Sequence, residues 1–119
     1  MPKVMLAEDD QTMVSLLKTL LKMEGFEVMA LEGDADISAS VRREIPDVLL
    51  LDVHLEHQNG LEVLEEIRKA EDTRATRIVM TSGLNLKAEC MARGADDFLL
   101  KPYMPDELIE MLKRNIGPS

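Results

Sequence analysis

The sequence predicts an α/β fold in which five parallel strands form one sheet with helices packed on both of its faces. Short runs of apolar residues alternate with longer segments whose apolar residues recur every three or four positions. Such alternation is typical of parallel sheets, because each connection between parallel strands needs room for a helix. The apolar runs contain few polar residues, as expected of strands that are buried on both faces. The length of 119 residues fits one domain of this kind.

The first third of the chain predicts a strand, a helix and a second strand. Residues 3–7 form the first apolar run, and residues 26–31 form the second. The helix between them ends near Gly25, because glycine tolerates the backbone conformation that follows a helix. The apolar residues of this helix have the spacing of one helix face: Met13, Leu16, Leu17, Leu20 and Leu21.

A second helix and a third strand follow. Asp34 is the predicted N-cap of this helix, since an aspartate side chain accepts hydrogen bonds from the first free amides. The predicted inner residues of the helix are Ile37, Val41 and Ile45. Pro46 interrupts the helical pattern. The third strand follows over residues 48–52, as an apolar run that stops at Asp52.

The second half of the chain repeats this alternation. Residues 77–81 and 97–100 predict the fourth and fifth strands. A third helix begins at Gly60, a short fourth helix spans residues 86–93, and the last helix begins near Pro105, which suits a first helical turn.

The whole pattern predicts one domain over residues 1–116. The remaining Gly117, Pro118 and Ser119 predict a tail or the start of a linker.

Polar residues of different kinds stand at the ends of four predicted strands. They are Glu8 and Asp9 after the first strand, Asp52 after the third, Thr81 after the fourth and Lys101 after the fifth. In an open parallel sheet, sites form outside the carboxyl ends of the strands. The sequence therefore predicts that carboxylates, a hydroxyl and an ammonium meet at one edge of the sheet.

Composition narrows the classes of function. The net charge of −9 argues against a nucleic-acid-binding surface on this domain. The sequence shows no apolar stretch near the ~20 residues of a membrane span, and its start lacks the pattern of a signal peptide. Cys90 is the single cysteine, so a disulfide within the chain is excluded. We therefore expect a cytoplasmic protein without membrane contact.

The motifs of the chain resemble those of the response-regulator receiver domain of two-component signal transduction. They occur in order and near predicted strand ends: Glu8-Asp9, Asp52 with Gly60 eight residues later, Thr81-Ser82-Gly83, Gly94-Ala95-Asp96-Asp97-Phe98 and Lys101-Pro102. The resemblance spans almost the whole chain. It implies a flavodoxin-like (βα)5 sandwich of three layers, with the strand order 2-1-3-4-5.

The resemblance implies a phosphoryl-transfer site at Asp52. This residue would accept a phosphoryl group from the phosphohistidine of a sensor histidine kinase or a phosphotransfer protein. Mg²⁺, with Mn²⁺ as an alternative ion, would be bound by Asp9 and Asp52, by Glu8 directly or through water, and by the main-chain carbonyl of His54. Oxygen donors of this kind suit a hard ion. Without the ion the carboxylates would repel one another, so we expect Mg²⁺ to stabilise the fold.

The same resemblance assigns the remaining roles. Lys101 would neutralise the acidic residues and then pair with a phosphoryl oxygen, and Thr81 would donate its hydroxyl to another. Thr81 and Phe98 would act as switch residues that alter the surface formed by the fourth helix, fifth strand and fifth helix. That surface would control an output domain or a downstream protein, and the Lys101–Pro102 peptide bond would be cis. Such a domain catalyses its own phosphorylation and slow dephosphorylation but turns over no external substrate, so the term enzyme applies only loosely.

Three features depart from the family pattern. The loop Val53-His54-Leu55-Glu56 lacks a usual proline, which predicts a more mobile loop. The segment from Thr81 to Gly94 is shorter than usual, so the switch surface is expected to be unusual. Met111 stands where one large DNA-binding subfamily has a basic residue that pairs across helix-five dimers, which argues against dimerisation in that style. A phosphorylation-dependent homodimer stays open as an alternative.

Two other functions remain as alternatives. A flavin-binding electron carrier with the same fold would need a phosphate loop rich in glycine and hydroxyl groups, where this chain has Glu8-Asp9-Asp10. A receiver-like protein-interaction module that is not phosphorylated would normally have lost acidic or lysine positions, and all of them are present here. Measuring the intact mass after treatment with acetyl phosphate separates this module from a phosphorylated switch.

Overall fold

The structure is a computed structural model that describes residues 1–117, so Pro118 and Ser119 of the predicted tail lie outside it. Within these residues, five strands and five helices alternate: β1 (Lys3–Ala7), α1 (Gln11–Met23), β2 (Glu27–Ala30), α2 (Ile37–Glu44), β3 (Val48–Asp52), α3 (Gly60–Lys69), β4 (Arg77–Ser82), α4 (Lys87–Ala92), β5 (Asp97–Leu100) and α5 (Pro105–Ile116). The strands are parallel and lie in the order β2-β1-β3-β4-β5. The predicted fold class and strand order are confirmed.

The sheet separates two apolar cores, because successive residues of a strand point to opposite faces. In β1, Met5 and Ala7 pack into one core, while Val4 and Leu6 pack into the other. We call the first the α2–α4 core, since its helical residues include Ile37, Val41, Leu64, Ile67 and Cys90. We call the second the α1/α5 core, since its helical residues are Leu17, Leu21, Leu108 and Leu112. The helices of each layer thus cover one face of the sheet.

Side chains before the helices decide where several of them begin. Asp10 caps α1, and its Oδ1 accepts hydrogen bonds from the amides of Thr12 and Met13. Asn59 caps α3 in the same way. These caps fix the chain just after β1 and just before α3, which are the segments beside the predicted site.

The structure corrects the prediction for α2. Its N-cap is Asp36, whose side chain accepts a hydrogen bond from the amide of Ala39, and not Asp34. Ile45 is not an inner residue, because it stands after the helix in a left-handed conformation with φ 48° and is 78% exposed. The helix therefore ends at Glu44, one residue before the last inner residue that the sequence predicted.

Other bounds differ by a few residues. Phe26 lies before β2 and packs in the α1/α5 core, β4 extends to Ser82, and α4 is shorter than predicted. Leu16 is exposed, because the buried face of α1 runs through Val14, Leu17 and Leu21. Gly94 follows α4 with φ 110°, a conformation that favours glycine. None of the helices in residues 1–117 is long and apolar enough to cross a membrane.

Candidate functional site

The predicted polar residues come together through the register of the sheet. Asp52 ends β3 and is the register partner of Thr81 in β4. Glu8 directly follows Ala7, which is paired with Leu51 of β3. Because side chains alternate along a strand, Glu8, Asp52 and Thr81 continue the rows that supply the α1/α5 core. Two carboxylates and a hydroxyl are thus placed along neighbouring strand ends on one side of the sheet.

Lys101 joins two of these carboxylates. Its Nζ donates hydrogen bonds to Oε2 of Glu8 at 2.7 Å and to Oδ2 of Asp52 at 2.6 Å. The side chains of Glu8 and Asp52 are only 5% and 8% exposed, while that of Lys101 is 26% exposed. Hydrogen bonds between charged groups are the strong ones, especially where water is scarce. One ammonium therefore neutralises two nearly buried acids.

Main-chain amides hold the other oxygens of both acids. Oε1 of Glu8 accepts a hydrogen bond from the amide of Asp10 at 3.1 Å, and Oδ1 of Asp52 accepts one from the amide of His54 at 3.0 Å. Each carboxylate thus has one oxygen on Lys101 and the other on the backbone. Both side chains are fixed in orientation as a result.

Asp9 faces a different group. Its Oδ2 accepts a hydrogen bond from the amide of Glu56, in the loop between β3 and α3. A cavity of about 10 Å³, enough for roughly one water molecule, lies beside it and is lined in part by Glu8, Gly33 and Gln58. Across residues 1–117, the side chains of histidine, cysteine, aspartate and glutamate do not form a group of three that could hold a metal ion. The expected crowding of three carboxylates is therefore not found in this arrangement.

The pKa of Glu8 and the pKa of Lys101 are both raised, for different reasons. Burial raises the pKa of Glu8; the hydrogen bonds from Lys101 and the amide of Asp10 oppose this rise, and the charge of Asp52 adds a smaller one. Burial alone would lower the pKa of Lys101, but its hydrogen bonds to Asp52 and Glu8 outweigh this effect and raise the pKa. Lys101 therefore stays charged at neutral pH.

The other predicted residues occupy distinct places. Thr81 is buried, and its main-chain carbonyl oxygen accepts a hydrogen bond from the amide nitrogen of Val53 at 2.9 Å. Phe98 is buried in the α2–α4 core, on the opposite side of the sheet from Asp52. The ring of His54 is exposed, although its Nδ1 lies 3.5 Å from the hydroxyl of Ser82. The Lys101–Pro102 bond is cis, as the resemblance implied.

Two features of the site escaped the sequence analysis. One is the hydrogen bond from the amide of Glu56 to Asp9, for which the missing proline of this loop was the signal, since proline carries no amide hydrogen. The other is Tyr103, a buried residue that directly follows the Lys101–Pro102 motif. It is the single tyrosine of the chain, which is a signal that the sequence offered.

Comparison with known proteins decides the family. The sequence model of the response regulator receiver domain matches residues 4–113. The chain belongs to this family. The transcriptional regulatory protein CpxR of Klebsiella pneumoniae is 34% identical over 95% of this chain, and the phosphate regulon transcriptional regulatory protein PhoB of Rhizobium meliloti is 30% identical over 95%. The matches cover 48% and 51% of those two proteins, so this receiver domain spans about half the length of the curated relatives it matches.

Solved structures agree with this assignment. The Francisella response regulator 1452 receiver domain superposes with a TM-score of 0.88 at 27% identity, over 98% of this chain and 97% of its own. The receiver domain of the sensor histidine kinase PA1611 from Pseudomonas aeruginosa superposes with a TM-score of 0.85 at 28% identity, over 98% of each chain. That second structure has a magnesium ion coordinated in its active site cleft. The predicted family and receiver fold are confirmed.

Proposed function

We propose that this receiver domain takes a phosphoryl group onto Asp52 from the phosphohistidine of a sensor histidine kinase or phosphotransfer protein. The observation that supports it best is the ammonium of Lys101, which lies 2.6 Å from Oδ2 of Asp52 at the carboxyl edge of the sheet. A carboxylate is a competent nucleophile toward phosphorus. In the transfer, an oxygen of Asp52 bonds to phosphorus while the phosphorus–nitrogen bond of the donor breaks and the imidazole leaves.

The residues around Asp52 supply positioning and charge, which is most of what phosphoryl transfer requires of a protein. Lys101 exchanges a carboxylate oxygen for a phosphoryl oxygen, and Thr81 donates its hydroxyl to a second one. The amide of His54 already donates to Asp52, whereas the amide of Val53 is used by the carbonyl of Thr81. His54 is therefore the better placed of these two amides to meet an added group.

The donors at this edge fit Mg²⁺ in their chemistry, since they are carboxylate and carbonyl oxygens. Asp9 and Asp52 would bind the ion directly, Glu8 directly or through water, and His54 through its main-chain carbonyl; Mn²⁺ accepts the same donors. When bound, the ion offsets the negative charge of the acids and of the phosphoryl group. Because the amide of Glu56 holds Asp9, this loop has to adjust for Asp9 to take part.

Intact-mass measurement after treatment with acetyl phosphate and Mg²⁺ tests the proposal. We expect the native domain to gain the mass of one phosphoryl group and Asp52→Asn to gain none. Asp72→Asn is the matched control, because Asp72 is an exposed aspartate that pairs with Arg42 on the surface. Absence of a mass gain in the native domain would favour the alternative, a receiver-like interaction module that is not phosphorylated.

Mg²⁺ should also stabilise the folded domain. An ion that binds only the folded state raises the free energy of unfolding by about 1.4 kcal/mol when its concentration is about ten times Kd. Thermal unfolding with and without millimolar Mg²⁺ measures this gain, with Ca²⁺-free and chelator-treated samples as references. An unchanged Tm would contradict the metal site.

The surface of α4, β5 and α5 is the proposed output face. Met91 of α4 and Leu100 of β5 are large apolar side chains that are exposed, as are Leu84 and Met104 in the segments that precede α4 and α5. We propose that phosphorylation changes this face and thereby controls an output domain or a downstream protein in the cytoplasm, with a phosphorylation-dependent homodimer as one form of output. The acidic domain itself would not touch nucleic acid. Sedimentation before and after phosphorylation tests the dimer.

A further inference from the structure

The loop between β3 and α3 has a fixed base. The amide of Gly60 donates a hydrogen bond to the carbonyl of Val53 at 2.8 Å, and His54 and Asn59 form an isolated antiparallel bridge across the loop. Backbone that is hydrogen-bonded in this way opens less easily than the exposed end of a loop. Movement of the loop is therefore confined to residues 55–58, which we call the loop tip.

Three contacts hold the loop tip in place. Leu55 packs against the α2–α4 core, and the amide of Glu56 donates a hydrogen bond to Oδ2 of Asp9. Gln58 makes the third contact, since its side-chain Nε2 donates to the main-chain carbonyl of Ala35 at 2.9 Å. Ala35 lies in the loop between β2 and α2. The bond from Gln58 therefore ties the loop tip to a second loop at the carboxyl edge of the sheet.

The loop tip leaves little room beside Asp9. Leu55 and Gln58 line the cavity of about 10 Å³ on one side, and Gly33 of the second loop lines it on another. A Cβ added to Gly33 would lie 3.6 Å from Oδ1 of Asp9, so this loop is also close to the carboxylate. Mg²⁺ has six ligands and usually keeps several waters, whereas this cavity holds roughly one. The closed position of the tip therefore does not suit a hydrated ion on Asp9.

We propose that Gln58 is a positioning residue that holds the loop tip closed over Asp9 in the metal-free domain and thereby lowers the affinity for Mg²⁺. This inference rests on the proposed binding of Mg²⁺ by Asp9. Glu56 has to release Asp9 before the ion binds, and Gln58 follows it by two residues in the same short tip. Opening of the tip therefore breaks the bond to Ala35 as well. Affinity falls with the fraction of molecules whose tip is closed, because these molecules are not competent to bind.

Replacing Gln58 with methionine tests this inference through the affinity for Mg²⁺. Methionine is similar in length but does not donate a hydrogen bond to Ala35. In calorimetric titrations we expect Gln58→Met to bind Mg²⁺ about two- to tenfold more tightly than the native domain, as for the loss of one neutral hydrogen bond from the closed form. Gln11→Met is the matched control, because Gln11 is exposed at the start of α1. Its affinity should equal that of the native domain.

Amide hydrogen exchange, measured by NMR in a chelating buffer, tests the closed tip without any metal. The amide of Glu56 should exchange faster in Gln58→Met than in the native domain, by about the same two- to tenfold, because the tip opens more often. The amide of Val53 is bonded to the carbonyl of Thr81 at the fixed base, and its exchange should not change. Adding Mg²⁺ to the native domain should speed exchange at Glu56.

The outcomes distinguish this inference from the proposed function. Equal or weaker Mg²⁺ binding by Gln58→Met overturns the inference and leaves the proposed phosphorylation of Asp52 standing. Tighter binding without faster exchange at Glu56 also overturns it, since the tip would then not be the cause. If the native domain and Gln58→Met both fail to bind Mg²⁺, the proposed metal site fails and the inference fails with it.

Discussion

Replacing Lys101 with methionine tests how strongly the acidic edge depends on one ammonium. Methionine keeps a similar length but leaves Glu8 and Asp52, whose side chains are 5% and 8% exposed, without their charged donor. Removal of one partner from a buried ion pair typically costs about 3–5 kcal/mol. Because Lys101 is 26% exposed, solvent offsets part of this loss, and we expect about 2–4 kcal/mol in the absence of Mg²⁺.

Urea denaturation in a chelating buffer at neutral pH measures this loss as a change in the free energy of unfolding. Lys113→Met is the matched control, because Lys113 makes an exposed pair with Glu24 at 3.1 Å. Exposed pairs are worth about 0–1 kcal/mol. The double variant with Glu8→Gln should lose less than the sum of the two single losses, since the removed groups interact directly.

The result that would refute this reasoning is a small loss. If Lys101→Met lowered the free energy of unfolding by no more than Lys113→Met does, the ammonium would not offset the burial of the two acids. Additivity of Lys101→Met and Glu8→Gln would lead to the same conclusion, because it would mean that the two groups do not interact in solution.

Three further predictions follow from local contacts. Glu56→Pro removes the amide hydrogen that holds Asp9, so calorimetry should show Mg²⁺ binding that is about tenfold tighter. Glu56→Ala keeps this amide hydrogen and serves as the control. Equal Mg²⁺ affinities of the two variants would contradict the prediction. Burial would raise the pKa of Asp97, but hydrogen bonds from Arg114, a second α5 side chain and a main-chain amide lower it. This stabilisation is complete above the ordinary carboxyl pKa and is lost as the pH falls through the lowered value. The urea midpoints of the native domain and Arg114→Gln should therefore converge below about pH 4, and a constant difference would exclude the ion pair as the cause. Gly60→Ala would press a Cβ against the main chain at the end of β3, so we expect a loss of about 2 kcal/mol or more in thermal unfolding; an unchanged Tm would show that the loop yields freely.

The strands were predictable because burial on both faces leaves them few choices of residue. β1, β3 and β5 have the predicted bounds, and in each of them a charged residue marks where the apolar run ends. The edge strand β2 is shorter than its apolar run, because Phe26 serves the core from outside the ladder. A run of apolar residues indicates that these residues are buried. It does not show whether each of them belongs to a strand or to the loop beside it.

Helix ends were less predictable because competing residues stand close together. Asp34 and Asp36 are equally good caps by residue type, and only the path of the chain into α2 selects Asp36. Ile45 fits the helical spacing, but the helix has already ended in a left-handed residue at that point. Spacing alone cannot show where packing against the sheet stops.

The site was predictable in its membership and not in its details. Parallel strands bring their carboxyl ends to one edge, which is why Glu8, Asp52 and Lys101 could be grouped before any coordinates. The direction of Asp9 depends on a loop amide of Glu56, and the isolation of the Tyr103 hydroxyl depends on packing. The direction of Asp9 and the isolation of this hydroxyl depend on how the loop and the core fold, which the residue types alone do not show.

Asp52 and Phe98 lie on opposite faces of the sheet. Phe98 packs in the α2–α4 core, whereas Asp52 continues the rows of the α1/α5 core. Between them runs β4, in which Met80 is the register partner of Phe98 and Thr81 is that of Asp52. A displacement of Thr81 would therefore reach the aromatic ring through a single peptide unit shared by two adjacent residues. The rigidity of β4 would therefore determine how closely the α2–α4 core follows a change at the carboxyl edge of the sheet.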